Sequence, residues 1–382
     1  MPNLTDIVDI AESLENKAVF PMASRCVVVR NRNTKCDKCV KACPTQAITV
    51  GDNKFELDSH ACVACGACCV VCPTEALVAL DPTDQDLAAA IADACIAAKG
   101  TAVFACARIA SKRLAYPECF AAVPCLARME ESILLALAAQ GVTRILLVDG
   151  DCQTCKYRYC DQGIEATVAS ANSLLATARS AIRIERASQF PPKLLAKDPS
   201  ALYGASRREF FTQAGGNVKV AAEKTVATVL SADNVAKEES LRERLGVSKA
   251  GSLPHFEADR HMSILDAMDR MSKSFLPEMR TRLWGSVDVD TGLCNACDAC
   301  SRFCPTGALK KVEAKVEGRK RYSLEFSLSD CVQCNACEDI CLKQCIKVGS
   351  RVSTDELFDF EPRVIPLSDG GETRSTLSSL KR

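Results

Sequence analysis

The sequence predicts small α+β modules at both ends of the chain and, between them, an α/β domain with a parallel sheet. Three observations predict this architecture. The chain has 382 residues, more than a single hydrophobic core usually serves. Its 25 cysteines are grouped at the two ends and in one central stretch. That central stretch alternates apolar runs of strand length with helical patterns, which is typical of strands that pair in parallel.

The composition of the chain excludes some classes of function. Forty-eight Lys and Arg balance 48 Asp and Glu, and aromatic residues make up only 5% of the chain. A nucleic-acid or anionic-membrane binder held by bulk charge is therefore not expected. The first fifteen residues carry no apolar run, and the longest apolar stretch, 133–139, is too short to cross a bilayer. We expect a cytoplasmic protein without a membrane span.

So many cysteines indicate either a secreted disulfide scaffold or thiolate ligands in a reducing compartment. Disulfide scaffolds are short chains that cannot build a core. This chain is long, and its alanine- and leucine-rich stretches can build one. We therefore interpret the cysteines as ligands.

The C-terminal cysteines form two tandem runs with the spacing C-x2-C-x2-C-x3-C. The runs are Cys294, Cys297, Cys300 and Cys304, followed by Pro305, and Cys331, Cys334, Cys337 and Cys341, followed by Leu342. In such runs three thiolates hold one [4Fe–4S] cluster and the fourth reaches the neighbouring cluster. The predicted ligand sets are Cys294, Cys297, Cys300 and Cys341, and Cys304, Cys331, Cys334 and Cys337. A zinc ion is the alternative to a cluster, because paired C-x2-C motifs also bind zinc. The third cysteine of each run and the x3-C-P ending favour clusters.

The N-terminal cysteines follow the same spacing with one departure. The complete run is Cys62, Cys65, Cys68 and Cys72, and the incomplete run is Cys36, Cys39 and Cys43. Asn33 stands where the incomplete run needs a cysteine, and Cys26 lies seven residues earlier. If the polar segment 30–34 loops out, Cys26 becomes the missing ligand. The predicted sets are then Cys26, Cys36, Cys39 and Cys72, and Cys43, Cys62, Cys65 and Cys68.

Two questions stay open at these ends. Without Cys26, the first site has three cysteines and would hold a [3Fe–4S] or labile cluster. Two further cysteines, Cys69 and Cys345, fall outside the runs. We interpret them as small buried hydrophobes rather than ligands.

Both ends resemble bacterial-type 2[4Fe–4S] ferredoxins. The phrase Cys-Pro-Thr-x-Ala, followed by an aliphatic residue, occurs at 43–48, 72–77 and 304–309. The resemblance implies ferredoxin-like modules at 20–82 and 287–350, with four [4Fe–4S] clusters and a role in electron transfer. Strands at 48–50 and 55–57, and at 312–316 and 321–326, fit the hairpins of that fold.

Residues 83–187 are predicted to form a small flavodoxin-like α/β domain. The predicted strands are 101–105, 120–124, 144–148 and 181–185, and the predicted helices are 84–98, 128–140 and 164–180. Cys106, Cys125, Cys152 and Cys155 follow three of these strands. Carboxyl ends of parallel strands meet where open α/β sheets place their sites, which predicts a metal or cluster site. The alternative is a pair of core thiols, with Cys152 and Cys155 as a redox pair or zinc half-site.

This stretch resembles the delta subunit of the methyl-viologen-reducing hydrogenases of methanogens. The resemblance rests on segments 104–106, 116–117, 123–125 with Arg128, and 147–157. It implies a [2Fe–2S] cluster in an electron-transfer domain. The spacing departs from that family, because Cys155 follows Cys152 by three residues rather than five and only one cysteine stands near 106. The predicted ligands are Cys106, Cys125, Cys152 and Cys155, with Cys119 and Cys160 in reserve.

The remaining segments are predicted to be a helical connector, 188–286, and a partly disordered tail, 351–382. Residues 206–209 fit a capping box, and 206–211 resemble a twin-arginine export motif. We do not interpret the phrase as an export signal, because Lys219 and Glu223 interrupt the apolar core after it. The amphipathic stretch 264–276 is predicted to be a packing or docking helix.

The leading functional hypothesis is a non-catalytic relay subunit of a cytoplasmic oxidoreductase. Its redox partners would be a flavoprotein or a molybdenum or nickel–iron dehydrogenase, such as formate dehydrogenase, hydrogenase or a heterodisulfide-reductase-like flavoprotein. No glycine-rich nucleotide fingerprint or phosphate-binding lysine loop is present in the sequence. The first alternative is a thiol–disulfide reductase that uses Cys152 and Cys155. The second is an accessory factor for molybdoenzyme maturation.

Overall fold

The computed structural model describes residues 18–196, 253–316 and 319–367. Several predictions fall elsewhere and lie outside the described residues. They concern the first residues of the chain, the capping box and twin-arginine phrase at 206–211, and the tail beyond 367. No helix in the described ranges is both long and apolar enough to span a bilayer.

The N-terminal module is a small α+β unit. Its elements are β1 (Val19–Pro21), α1 (Val27–Arg30), α2 (Lys38–Ala42), β2 (Ile48–Gly51), β3 (Lys54–Leu57), α3 (Ala67–Val71) and β4 (Leu77–Ala79). The predicted hairpin is confirmed, since β2 pairs with β3 in antiparallel register. Both turn residues, Asp52 and Asn53, have positive φ, as a tight hairpin turn requires. In addition, β1 pairs with β4, so the two ends of the module are joined.

The central unit contains a four-stranded parallel sheet. Its elements are α4 (Asp84–Ala97), β5 (Thr101–Cys106), α5 (Ala107–Ala110), β6 (Ala121–Val123), α6 (Glu131–Ala139), β7 (Arg144–Val148), α7 (Cys160–Thr177) and β8 (Ile184–Ala187). The strand order is β6-β5-β7-β8, with every neighbour parallel. Phe104 and Leu147 are fully buried where the helices cover the sheet. The predicted parallel sheet is confirmed.

Three elements of the central unit have boundaries that differ by three or more residues from the prediction. The helix predicted over 164–180 spans Cys160–Thr177. The last strand begins at Ile184 rather than at 181, because the Asn172 side chain bonds both the N–H and the C=O of Ile184. The predicted helix over 128–140 begins at Glu131. A short 3-10 helix, Leu126–Arg128, precedes it and carries the chain away from the strand end.

The described part of the connector contains the predicted packing helix, shifted toward the N-terminus. This helix, α8 (Asp259–Met271), packs against α6. Its buried face carries Ile264, Leu265 and Met268. A short strand that the prediction missed, β9 (Glu278–Arg280), follows it.

The C-terminal module repeats the N-terminal plan and extends it. Its elements are β10 (Ser286–Val289), α9 (Ala299–Arg302), β11 (Leu309–Val316), β12 (Arg319–Phe326), α10 (Ala336–Asp339), β13 (Ile346–Gly349), β14 (Arg351–Ser353), α11 (Thr354–Asp359) and β15 (Arg363–Pro366). The predicted hairpin is confirmed as β11 paired with β12. β10 pairs with β13, as β1 does with β4 in the other module. The first part of the predicted tail is folded as part of this module, because β15 pairs with β12 and β14 pairs with β9.

Candidate metal centres

The three complete cysteine runs turn in the same way around their central cysteine. In each run the residues on either side of that cysteine have positive φ, between 49° and 73°. These residues are Ala64 and Gly66, Ala296 and Asp298, and Gln333 and Asn335. Five of the six are not glycine, so the surrounding structure must hold them in a sparsely populated conformation. The fold around each run therefore holds the cysteine loop in this turn.

The repeated Cys-Pro-Thr-x-Ala phrase supplies hydrogen bonds to its own cysteine sulfur. The N–H groups of Ala47 and Ala76 donate to Cys43 and Cys72 Sγ at 3.2 and 3.3 Å. The threonine hydroxyls lie 3.6 to 3.8 Å from the same kind of sulfur. The pairs are Thr45 with Cys43, Thr74 with Cys72, and Thr306 with Cys304. Donors placed on sulfur stabilise the thiolate, the form that binds metal.

Four groups of cysteines are brought together, and their membership is the one that the spacing predicts. We number them along the molecule. Thiol set 1 is Cys43, Cys62, Cys65 and Cys68; set 2 is Cys26, Cys36, Cys39 and Cys72; set 3 is Cys304, Cys331, Cys334 and Cys337; set 4 is Cys294, Cys297, Cys300 and Cys341. All four cysteines of set 1 line one enclosed cavity, and all four of set 3 line another.

Electrostatic coupling shows the grouping in sets 2 and 4. Burial raises the pKa of the Cys39 thiol, and the thiolates of Cys72, Cys26 and Cys36 raise that pKa further. In set 4, burial raises the pKa of Cys300 to about 12, with contributions from Cys297, Cys294 and Cys341. The thiols in each set therefore lie close enough to repel one another when charged.

The remaining two cysteines of the modules lie against set members. Cys345 is buried, with its Sγ 3.4 Å from that of Cys341. Cys69 is also buried and is hydrogen-bonded to Cys68. Both cysteines are therefore buried, as predicted. Each also contacts the thiol of a set member, which the spacing does not predict.

The donor sets fit a cluster better than a single ion. Within residues 18–196, 253–316 and 319–367, no three metal-binding side chains converge as a single metal ion requires. A zinc ion would need its sulfurs at about 2.3 Å from one point. Three buried side chains near these cysteines also keep polar atoms without a partner in the described ranges, namely Thr34 Oγ1, Arg30 Nε and Nη2, and Arg128 Nε, whose side chain packs on Gly66. A bound cubane would supply a one-electron redox centre and sulfide acceptors for such donors.

The central unit brings three of its four predicted ligands together. Cys106 lies at the end of β5, and its thiol is 3.7 Å from the Asp149 carbonyl oxygen. The charge of Cys125 raises the pKa of both Cys106 and Cys152, after the larger effect of burial. Cys155 is not linked in this way to the other three thiols. However, its sulfur accepts the Tyr157 N–H at 3.4 Å.

This last contact matches a pattern found at the cysteines of the modules. Cys62, Cys65 and Cys331, among others, each accept the N–H of the residue two positions on. In the central unit, the N–H groups of Ala127 and Arg108 act to lower the pKa of Cys125 and of Cys106. Cys155 thus has an N–H two positions on directed at its sulfur, as the module cysteines do.

Cys160 connects the central unit to thiol set 1. It is buried at the start of α7, and its thiol is hydrogen-bonded to both Cys125 and Cys65. Those bonds lower the pKa of Cys65 and of Cys125, because a donated proton favours the thiolate. The sequence placed Cys160 only in reserve. Nothing in the local pattern places the start of α7 beside a cysteine loop of another module.

The four thiol sets lie in succession across the molecule. Cys39 of set 2 is within electrostatic range of Cys68 of set 1, and Cys337 of set 3 is within range of Cys300 of set 4. Sets 2 and 3 meet at the contact between the two modules. There, Cys26 and Cys36 pack with Cys334 around a small apolar core. The order is therefore central unit, set 1, set 2, set 3 and set 4.

Helix α1 forms the contact between the modules. Its Val27 and Val28 are buried against Ala336 of the C-terminal module. The Lys35 N–H donates to Asp339 at 2.8 Å, and Lys38 Nζ donates to the Gln333 carbonyl at 3.3 Å. The residues that displace Cys26 from the regular spacing are thus the ones that dock on the second module. Residues 27–30 are helical, and residues 31–34 form a turn and loop, as the sequence suggested for the polar segment 30–34.

Comparison with known families supports the module assignment. A family model described as a 4Fe-4S dicluster domain matches residues 34–76 and 293–345. The chain is therefore an iron–sulfur protein of the electron-transfer type, with ferredoxin-like 4Fe-4S modules at both ends. The matched ranges contain fifteen of the sixteen cysteines in sets 1 to 4, all except Cys26. A comparison with curated proteins finds no match.

Proposed function

We propose that the chain is an electron relay with four [4Fe–4S] clusters, held by thiol sets 1 to 4, and one [2Fe–2S] cluster in the central unit. The proposed [2Fe–2S] ligands are Cys106, Cys125, Cys152 and Cys155. One observation carries the proposal: each cysteine group lies beside the next, within electrostatic range or in packing contact, from the central unit to set 4. Since electrons tunnel efficiently only over short gaps, a continuous row of centres is what a relay requires.

One end of the row, set 4, is accessible at the protein surface, as an electron relay requires. Set 4 lies at the surface, where Cys297 is exposed. Leu293 and Leu342, each next to a set 4 cysteine, are 56% and 94% exposed. Exposed apolar side chains around a redox centre favour short-lived docking of a protein partner. We propose that electrons pass between this edge and a partner protein.

The central unit supports the wider context of an oxidoreductase complex. Its strand order corresponds to the first four strands of a flavodoxin-like sheet, and its cysteines follow the strand ends. Together with the likeness to the hydrogenase delta subunit, this supports a relay subunit that works in the cytoplasm. Its partner would be a flavoprotein or a molybdenum or nickel–iron dehydrogenase.

The proposal is tested by metal content and electron paramagnetic resonance (EPR) on protein purified or reconstituted without oxygen. Four cubanes and one [2Fe–2S] cluster require about eighteen irons and an equal amount of sulfide. Reduction should produce both [4Fe–4S] and [2Fe–2S] signals, and Cys152→Ser should remove the second kind alone. Fewer than about sixteen irons in fully loaded protein would contradict the four-cubane count.

Cys160→Ala is expected to slow electron exchange between the central unit and set 1 without changing the iron content. The substitution removes the thiol that links Cys125 to Cys65 and leaves a gap in its place. Rapid-freeze EPR should show the [2Fe–2S] and cubane signals coming to equilibrium several-fold more slowly than in the wild type. Cys119→Ala is the matched control, because Cys119 is also buried in the central unit but has no thiol neighbour among the described contacts. Equal rates in the two variants would refute the bridging role.

The thiol–disulfide alternative has less support. A reactive dithiol needs a cysteine with a lowered pKa. Burial and the nearby Asp149 carboxylate instead raise the pKa of Cys152 to about 12, and Arg186 only partly opposes them. The two cations that follow this pair in the chain, Lys156 and Arg158, lie over the rings of Tyr157 and Tyr159.

A further inference from the structure

Arg30 is a buried cation at the contact between the two modules. It is the last residue of α1 and is 4% exposed. Its Nη1 donates to the carbonyl oxygens of Ser24 and Pro254, at 2.9 and 2.8 Å. Its Nε and Nη2 are buried and have no hydrogen-bond partner in the described part of the chain. One side of the guanidinium is thus anchored, and the other side presents two free donors.

Arg30 lies beside thiol set 3. Its partner Pro254 is two residues before Phe256, whose N–H donates to the carbonyl oxygen of Pro305, the residue after Cys304, at 3.0 Å. Val27 and Val28 of the same helix pack with Cys334.

Burial lowers the pKa of Arg30, and the thiolates of Cys304 and Cys334 only partly oppose that effect. Arginine stays protonated in proteins, so a full positive charge is held in this interior. A buried charge without a counter-ion is costly, and the partners that the described residues give Arg30 are two uncharged backbone carbonyls. An anionic centre on set 3 would supply the missing counter-charge.

Helix α1 aims this charge at set 3 rather than at set 2. Cys26, a set 2 cysteine, is the N-cap of the helix and lies next to the N–H groups of its first turn. Arg30 is at the other end of the same single turn. The helix thus presents backbone donors to a set 2 cysteine and a guanidinium to set 3. Lys38 adds a second, less buried cation on the same side, with Nζ 3.3 Å from the Gln333 carbonyl oxygen.

We propose that Arg30 gives the centre held by Cys304, Cys331, Cys334 and Cys337 the highest reduction potential of the four cubanes. The inference rests on the proposed function, since it requires a cluster in set 3. Hydrogen bonds to sulfur and nearby positive charge favour the reduced, more negative state of an iron–sulfur centre. The low dielectric of the interior strengthens both effects. The first electron to enter the chain therefore resides at the junction of the two modules.

The test is a potentiometric EPR titration of three variants beside the wild type. Arg30→Met removes the charge and both free donors while keeping an unbranched side chain. Arg30→Lys keeps the charge but not the fork of donors. Arg32→Met is the matched control, because it removes an exposed arginine two residues further along. Iron and sulfide are measured in every sample, so that cluster loading is known independently of the potentials.

In the wild type, the first reducing equivalent should produce one cubane signal ahead of the other three. Arg30→Met should lower the electron affinity of that component about tenfold, a shift of about 59 mV for a one-electron couple. Arg30→Lys should shift it in the same direction by less, and Arg32→Met should leave all components in place. Unchanged potentials in fully loaded Arg30→Met would overturn the inference and leave the relay intact. If Arg30→Met loads incompletely, unchanged potentials in loaded Arg30→Lys overturn it equally. A wild type without four cubanes would instead refute the proposed function.

Discussion

Cys26→Ser is expected to remove one of the four cubanes and to stop electron flow between the two modules. Cys26 belongs to set 2, whose cysteines meet Cys334 of set 3 at the contact between the modules. A serine hydroxyl is a much poorer ligand for iron than a thiolate. The iron content should fall by about four, the content of one cubane. In rapid-freeze EPR, reduction of one module should no longer spread to the other.

The control for this prediction is Cys69→Ser. Cys69 is buried in the same module and contacts Cys68, yet it lies outside the four sets. Its substitution should leave the iron content unchanged. A full complement of cubanes in Cys26→Ser would show that Cys26 is not a ligand. A [3Fe–4S] signal in the wild type would favour the three-cysteine site.

Arg260→Met is expected to destabilise the folded protein by about 3 kcal/mol, the cost of leaving a buried charge unpaired. Arg260 donates to the Glu130 carboxylate at 2.9 Å and to the Cys72 carbonyl at 3.1 Å, and its N–H bonds Glu75. Glu130 is buried, with Ser132 as its other hydrogen-bond partner. One arginine therefore joins α8, the N-terminal module and the central unit. Denaturant unfolding of the cluster-loaded protein measures the effect.

The pH dependence of this deficit has a definite sign. Burial raises the pKa of Glu130, and Arg260 opposes that rise. Without Arg260, the folded pKa of Glu130 lies further above its unfolded value. The variant then loses stability as the pH rises through that interval, so its deficit is larger at neutral pH than near the ordinary glutamate pKa. The exposed ion pair of Arg270 with Asp266 is the control, and Arg270→Met should cost less than about 1 kcal/mol. Equal losses in the two variants would show that Glu130 does not depend on Arg260.

Local pattern was sufficient for the parts of the molecule that are built locally. The cysteine runs form tight loops whose members are a few residues apart, so spacing predicts which thiols each loop brings together. The exchange of the fourth cysteine between neighbouring runs follows from the two-cluster pattern, and Cys26 lies outside the regular spacing. The parallel sheet followed from apolar runs of strand length between helices. The cysteine loops and the strands both depend on residues that are close together in the sequence, so the sequence alone is enough to predict them.

The contacts between the modules could not be predicted from local sequence pattern. Arg30 lies in a stretch that looked like a polar loop, and its surroundings come from cysteines near the other end of the chain. An arginine four residues after Cys26 was the only signal that could have identified it. Cys160 was recognised as a spare cysteine, but its bond to Cys65 exists only because the central unit docks on set 1. The threonine of the Cys-Pro-Thr phrase was visible three times, yet its bond to sulfur needs the folded turn.

The central claim is that the cysteine groups form one continuous row of iron–sulfur centres through both modules. Iron anomalous scattering from crystals grown without oxygen tests it most directly. We expect four cubane-sized peaks, each enclosed by one of the thiol sets 1 to 4, in that order, and a smaller peak among Cys106, Cys125, Cys152 and Cys155. The absence of a peak in set 2 or set 3 would interrupt the row at the junction between the modules and contradict the relay.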